Sequence, residues 1–123
     1  FWITLQKGVD FVIESLGMMK GGELFVPKIP SMKIVDLAKA IAPGAKIKIV
    51  GIRPGEKLHE VLIPADEARR TLEFKDKFMV APDFEWWNKT HHNHGKHVAE
   101  DFVYSSDNNK QWLSVADLKK MIE

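Results

Sequence analysis

The stretch KIKIVGIRPGEKLHEVLI, Lys46 to Ile63, sets the fold class. Lys46-Ile47-Lys48-Ile49-Val50 alternates lysine with apolar residues, which predicts a half-buried strand with one wet side. Arg53-Pro54-Gly55-Glu56 then forms a tight turn. After it, Leu58, Val61 and Leu62 share one face and predict a short helix from about Lys57 to Leu62. A strand, a turn and a helix in succession belong to an α/β fold.

The same alternation of elements extends to both sides. Upstream, Leu5, Val9, Val12, Ile13, Leu16 and Met19 recur at spacings of three and four, the signature of a one-faced helix that ends at Gly21-Gly22. Glu23 to Val26 predicts a strand stopped by Pro27, which has no N–H to give a ladder. A second helix follows, with Ser31 as N-cap and Ile34, Val35, Leu37, Ala38 and Ile41 as its apolar face, until Pro43-Gly44 ends it. Downstream, Ala65 to Ala68 predicts a turn or helical turn, and Thr71 to Phe74 with Phe78 to Val80 one or two strands. Asp83 to Glu100 has no period and reads as a loop. Ser114-Val115-Ala116-Asp117 resembles a capping box with aspartate in place of glutamate, and opens a last helix through Leu118, Met121 and Ile122. Two or three strands and about four helices are expected. No repeat or linker divides the chain, so residues 1–123 are expected to form a single domain.

Composition narrows the partners. The 123 residues carry 18 basic and 17 acidic side chains and a net charge of +1, so no excess field recruits nucleic acid or an anionic membrane. Any anion must be bound locally. The absence of cysteine removes disulfides, thiolate metal sites and cysteine nucleophiles, and fits a cytoplasmic protein. No apolar run approaches the roughly 18 residues of a membrane span. The chain starts Phe1-Trp2-Ile3-Thr4-Leu5, without initiator methionine, charged leader or cleavage site, and is expected to be cut from something longer.

Arg53 and Glu56 are the first candidates for chemistry. A guanidinium offers a planar fork of donors that matches phosphate or carboxylate oxygens two at a time, and the Pro-Gly turn would fix it at the rim of a sheet. Glu56 could accept from a sugar hydroxyl. The alternative is that the two pair with each other, or that Glu56 favours the start of the following helix. Lys57, His59 and Glu60 read as a solvated face. The histidines His91, His92, His94 and His97 invite a zinc or nickel site, but scattered carboxylates and the polar Gly95-Lys96 argue against one. Trp86-Trp87 either stacks on a sugar or base or pins its loop. Tyr104 to Asn109 is a polar turn that could contact a ligand or serve as a cap. No Gly-x-Gly-x-x-Gly, nucleotide-binding lysine loop or nucleophilic triad is present.

Four blocks together carry a resemblance: FWITL, GGELFVPKIPSMKIVDLAKAIAP, IVGIRPGEKLHEVLIPADEARRTLEF and DFVYSSDNNKQWLS. In this order they resemble the C-terminal part of the inverting UDP-N-acetylglucosamine 4,6-dehydratases, extended short-chain dehydrogenase/reductases of the polysaccharide biosynthesis group that begin the pseudaminic acid pathway. The resemblance spans the chain except a variable loop within residues 84–100. It implies a substrate-binding lobe whose Rossmann domain, about two hundred residues long, precedes Phe1 and is missing. In such enzymes NADP takes a hydride from position 4 of the hexose, water leaves across positions 5 and 6, and the hydride returns to position 6. The cofactor loop and catalytic residues belong to the missing part, so the fragment is expected to bind no cofactor or metal and to be inactive alone.

By the same resemblance, Arg53 occupies the place of an arginine that contacts the UDP diphosphate, and Glu56 that of an acidic residue near the ribose. The implied partners are a UDP-sugar, the Rossmann domain and a homo-oligomer, with no nucleic acid and no membrane. A UDP-sugar 4-epimerase or a retaining dehydratase shares this lobe. A non-enzymatic module, binding a sugar or a partner through the Trp86-Trp87 loop, is the reading outside enzymes.

Overall fold

The computed structural model describes residues 1–122 and is a mixture of helices and short strands. In chain order these are α1 (Leu5–Met18), β1 (Leu24–Pro27), α2 (Ile34–Ile41), β2 (Val61–Ile63), a 3-10 helix (Ala65–Arg70), β3 (Thr71–Glu73), β4 (Lys77–Val80), β5 (Lys96–His97), β6 (Tyr104–Ser105) and α3 (Val115–Ile122). Six short strands replace the two or three expected. Four form an antiparallel sheet in the order β1-β4-β3-β5, and β2 pairs with β6. Two compact units divide the chain. One comprises Phe1–Thr4, Ile29–Glu60 and the chain from Ser105 onward; the other comprises Leu5–Lys28 and Val61–Tyr104.

The sheet unit is built around β4, whose four residues are all buried because it lies between β1 and β3. Leu72, Met79 and Trp87 form its core, with Phe25, Phe74 and Ala81 packed against them. Phe78 packs on the rings of Phe102 and Tyr104. Lys77, the first residue of this otherwise apolar strand, is buried, yet its Nζ lies 3.2 Å from Glu14 Oε2 on α1 and over the Phe11 ring. The long stem of lysine lets it cross apolar surface while its head finds a carboxylate. α1 forms where its spacing predicts, but none of its residues is buried: Leu5, Val9, Val12, Ile13 and Leu16 all face outward.

In the other unit, α2 and α3 pack together, with Leu118 fully buried and Ala40 nearly so. The predicted capping box opens α3: the Asp117 carboxylate accepts the N–H and hydroxyl of Ser114, and Ser114 Oγ accepts the Asp117 N–H. Ser31, by contrast, caps nothing. It is fully buried, forms a parallel bridge with Trp112, donates its N–H to Gln111 O and accepts the Leu113 N–H. Its hydroxyl accepts from Asn109 Nδ2, and α2 starts after Lys33 without a side-chain cap. Tertiary pairing has taken the groups that a cap would use.

The founding stretch departs most from expectation. Lys46 to Val50 is not a strand, and every residue from 41 to 62 is exposed. Alternation states which face a strand would bury, but a strand needs a neighbour to bond, and this segment pairs with no strand among the described residues. The helix from Lys57 to Leu62 is also absent, since Val61–Ile63 is the strand β2. Six residues are too few for periodicity to separate helix from strand, and the β-branched Val61 and Ile63 favour the latter.

Candidate functional site

The Arg53-Pro54-Gly55-Glu56 turn closes with a hydrogen bond from the Glu56 N–H to Arg53 O at 3.1 Å. Proline after the first residue and Gly55 at φ 84° give the type II pattern, in which a side chain at the third position would be strained. The Glu56 carboxylate folds back and accepts the Arg53 N–H at 2.8 Å. Its other oxygen lies 3.9 Å from Arg53 Nε, too long for a hydrogen bond, and the Arg53 side chain is 79% exposed. The turn therefore shapes itself through the backbone and leaves the guanidinium fork open to solvent. A planar cation offered this way can take two oxygens of an anion at once.

Downstream, the chain is held at a second point. The Glu60 N–H donates to Ser106 Oγ at 2.9 Å, and the Ser106 N–H donates to Glu60 O at 2.8 Å. Next to this pair, His59 Nε2 stands 3.7 Å from Asp107 Oδ2. The Ser105 hydroxyl donates to Asp107 and is the main cause holding its carboxyl below the usual range; burial acts against this, and the charge of His59 adds to it. Lys57 and Glu60, 3.7 Å apart and both exposed, form a surface pair. The structure thus brings His59 and Glu60, read in sequence as a solvated face, against the Tyr104 to Asn109 turn. Nothing local could have shown this, because 46 residues separate Glu60 from Ser106.

The histidine loop in the sheet unit is organised differently. His92 is buried, adopts φ 60°, and places Nε2 2.9 Å from Glu23 Oε1. Glu23 also accepts the N–H groups of Lys20 and Gly21. Burial pushes the Glu23 carboxyl up, but the His92 contact and these N–H donors outweigh it and hold it at about 2. Phe25 and Phe74 meet the His92 ring edge-on, while Trp87 stacks on it. His91 packs on Trp87 and His94 on Phe74. Among the described residues no group of three His, Cys, Asp or Glu could hold a metal ion. The tryptophan pair is split: Trp87 is in the core, and Trp86 stacks on Phe84 outside it.

A dinucleotide does not fit the residues present. Backbone that leads directly from a strand into an α-helix, residues 28–33 between β1 and α2 and 106–114 between β6 and α3, contains no glycine among the described residues. It therefore cannot bring a backbone close to a pyrophosphate in the way that a glycine-rich turn does. Among the described residues no helix is long and apolar enough to cross a membrane.

Two UDP-N-acetylglucosamine 4,6-dehydratases (inverting) from strains of Campylobacter jejuni are 45% and 44% identical to this chain over 99% of its length, which is 39% of theirs. A UDP-glucose 4-epimerase of Rickettsia rickettsii is 28% identical over the same share of the chain and 37% of its own. The crystal structure of Pen from Bacillus thuringiensis superposes with a TM-score of 0.77 at 29% identity, covering 99% of this chain and 36% of that one. The chain thus spans about two fifths of the length of the curated relatives it matches. The model of the family described as "Polysaccharide biosynthesis protein" matches residues 1–82, so the chain belongs to that family.

Proposed function

We propose that this chain is the nucleotide-sugar-binding C-terminal portion of an inverting UDP-N-acetylglucosamine 4,6-dehydratase. One observation carries the reading: 45% identity sustained over 99% of the chain, against 28% for the epimerase. Arg53 grips the UDP diphosphate through charge-assisted hydrogen bonds, and Glu56 holds the turn and faces the ribose. The open guanidinium and the backbone-locked turn support those roles. A Rossmann domain ahead of Phe1 supplies the NADP cradle that the residues here do not form, and with it the hydride chemistry. That domain also covers the outward apolar face of α1. The enzyme works in the cytoplasm, on a sugar bound for surface glycans.

The activity is tested by fusing the chain behind the N-terminal portion of the Campylobacter jejuni relative and following UDP-N-acetylglucosamine by NMR. The expected product is a 4-keto-6-deoxy sugar inverted at position 5. A 4-epimer would overturn the dehydratase reading, and retention at position 5 its inverting form.

A further inference from the structure

The Arg53 turn lies in a segment that gives it little support. From Ala45 to Leu58 there is no helix, no strand and no buried residue. The two hydrogen bonds of the turn join Arg53 to Glu56, so they set its shape and not its place. On the upstream side the Ala45 N–H bonds to Ala42 O at the end of α2. On the downstream side, the first residues tied to another part of the same unit are His59 and Glu60, through Asp107 and Ser106.

That downstream post is itself well founded. Asn108 Oδ1 accepts the Ser105 N–H at 3.0 Å, and Asn109 Nδ2 donates to Ile29 O at 2.7 Å and to the fully buried Ser31 hydroxyl at 3.0 Å. A continuous chain of contacts therefore runs from Ser31 through the 105–109 turn to Glu60, four residues beyond Glu56.

We propose that Ser106 and Asp107 are positioning residues for the Arg53–Glu56 turn, fixing through Glu60 and His59 where the Arg53 guanidinium is presented to a diphosphate. Ser106 does most of this, with one hydrogen bond to its hydroxyl and one from its backbone N–H; Asp107 adds a half-exposed contact with His59, charged only when that imidazole is protonated, which contributes little by itself. Without the Ser106 hydroxyl and the Asp107 carboxylate, Glu60 keeps only its backbone bond to the Ser106 N–H, the hold on the span around Arg53 weakens, and binding an anion must then order more backbone, which costs conformational entropy. The diphosphate part of this inference rests on the function proposed above; the mobility part does not.

The 15N-labelled chain tests both. Wild type, Ser106→Ala, Asp107→Asn and the double variant are compared by heteronuclear NOE at the amides of Arg53, Gly55 and Glu56 without ligand, then by UDP titration. In the double variant the NOE values of these amides should drop while those of Phe78 to Val80 stay. The Kd for UDP should rise by roughly threefold or more, the size of a lost neutral hydrogen bond. Ser106→Thr, which keeps the acceptor oxygen, should restore both. Unchanged NOE values in a folded double variant overturn the positioning role; should that variant unfold, the two single variants decide by the same readout. If UDP shifts no amide of the wild-type turn, the diphosphate reading fails, and the NOE comparison still decides whether Ser106 and Asp107 place the turn.

Discussion

Two segments of this chain, residues 45–58 and 82–95, are equally free of helix and strand. They differ in what they bury. The second sends Trp87 into the core and His92 onto Glu23, and its backbone is fixed from within. The first buries nothing and is held at its ends, so that what it offers is a surface. Irregular backbone can be as well determined as a helix when its side chains reach a core. When they do not, its conformation depends on a few polar tethers, and it remains able to meet a ligand.

The contrast is most exposed to test at His92. His92→Ala removes one partner of the buried Glu23 carboxylate and leaves it the N–H groups of Lys20 and Gly21, and the expected loss is about 1.5–3 kcal/mol, the size of a hydrogen bond to a charged group, read as a fall in the denaturation midpoint. A midpoint close to wild type would show that the 82–95 loop is not held from within. Acid probes the same pair. The native Glu23 carboxyl lies at about 2 against an ordinary 4.5, so the folded state binds fewer protons than the unfolded one between these values. Its contribution is complete above pH 4.5 and lost as the pH falls toward 2, in total on the order of 3 kcal/mol. Glu23→Gln should flatten that part of a stability–pH curve.

A smaller effect is expected at Gly95. An added Cβ would lie 2.7 Å from Phe74 Cζ and 3.0 Å from Leu72 Cβ, so Gly95→Ala must displace a packed ring. A loss of about 1–3 kcal/mol in urea unfolding is expected. Arg53→Ala sharpens the other side of the comparison. Its side chain touches little, so stability should change by less than about 0.5 kcal/mol. The affinity for UDP should nevertheless fall roughly tenfold, as when a charged hydrogen bond is lost. An Arg53→Ala chain that binds UDP like the wild type would remove the site from this turn.

Much of this was legible in the sequence where the signal is local. The spacing in α1, the Ser114–Asp117 box, the strands β3 and β4 and the Pro-Gly turn all stand where their residues place them. The readings that failed needed a partner. Lys46 to Val50 has the alternation of a strand and no neighbour; Ser31 has the chemistry of a cap and is used by Trp112, Gln111 and Asn109 instead. Arg53 and Glu56 were visible as a pair because a turn is a local object. The hold of Ser106 on Glu60, and the inward turn of His92, arise from residues far apart in the chain and leave no mark on either stretch alone.

The Glu23–His92 contact also limits how this protein can diversify. The loop from Pro82 to Gly95 joins β4 to β5 and could vary in length without shifting the register of the sheet. Its anchor, however, lies outside it, on the residue before β1. A loop transplanted from a relative without an inward-facing histidine would leave the buried Glu23 carboxylate only the N–H groups of Lys20 and Gly21, so the loop and position 23 are best exchanged together.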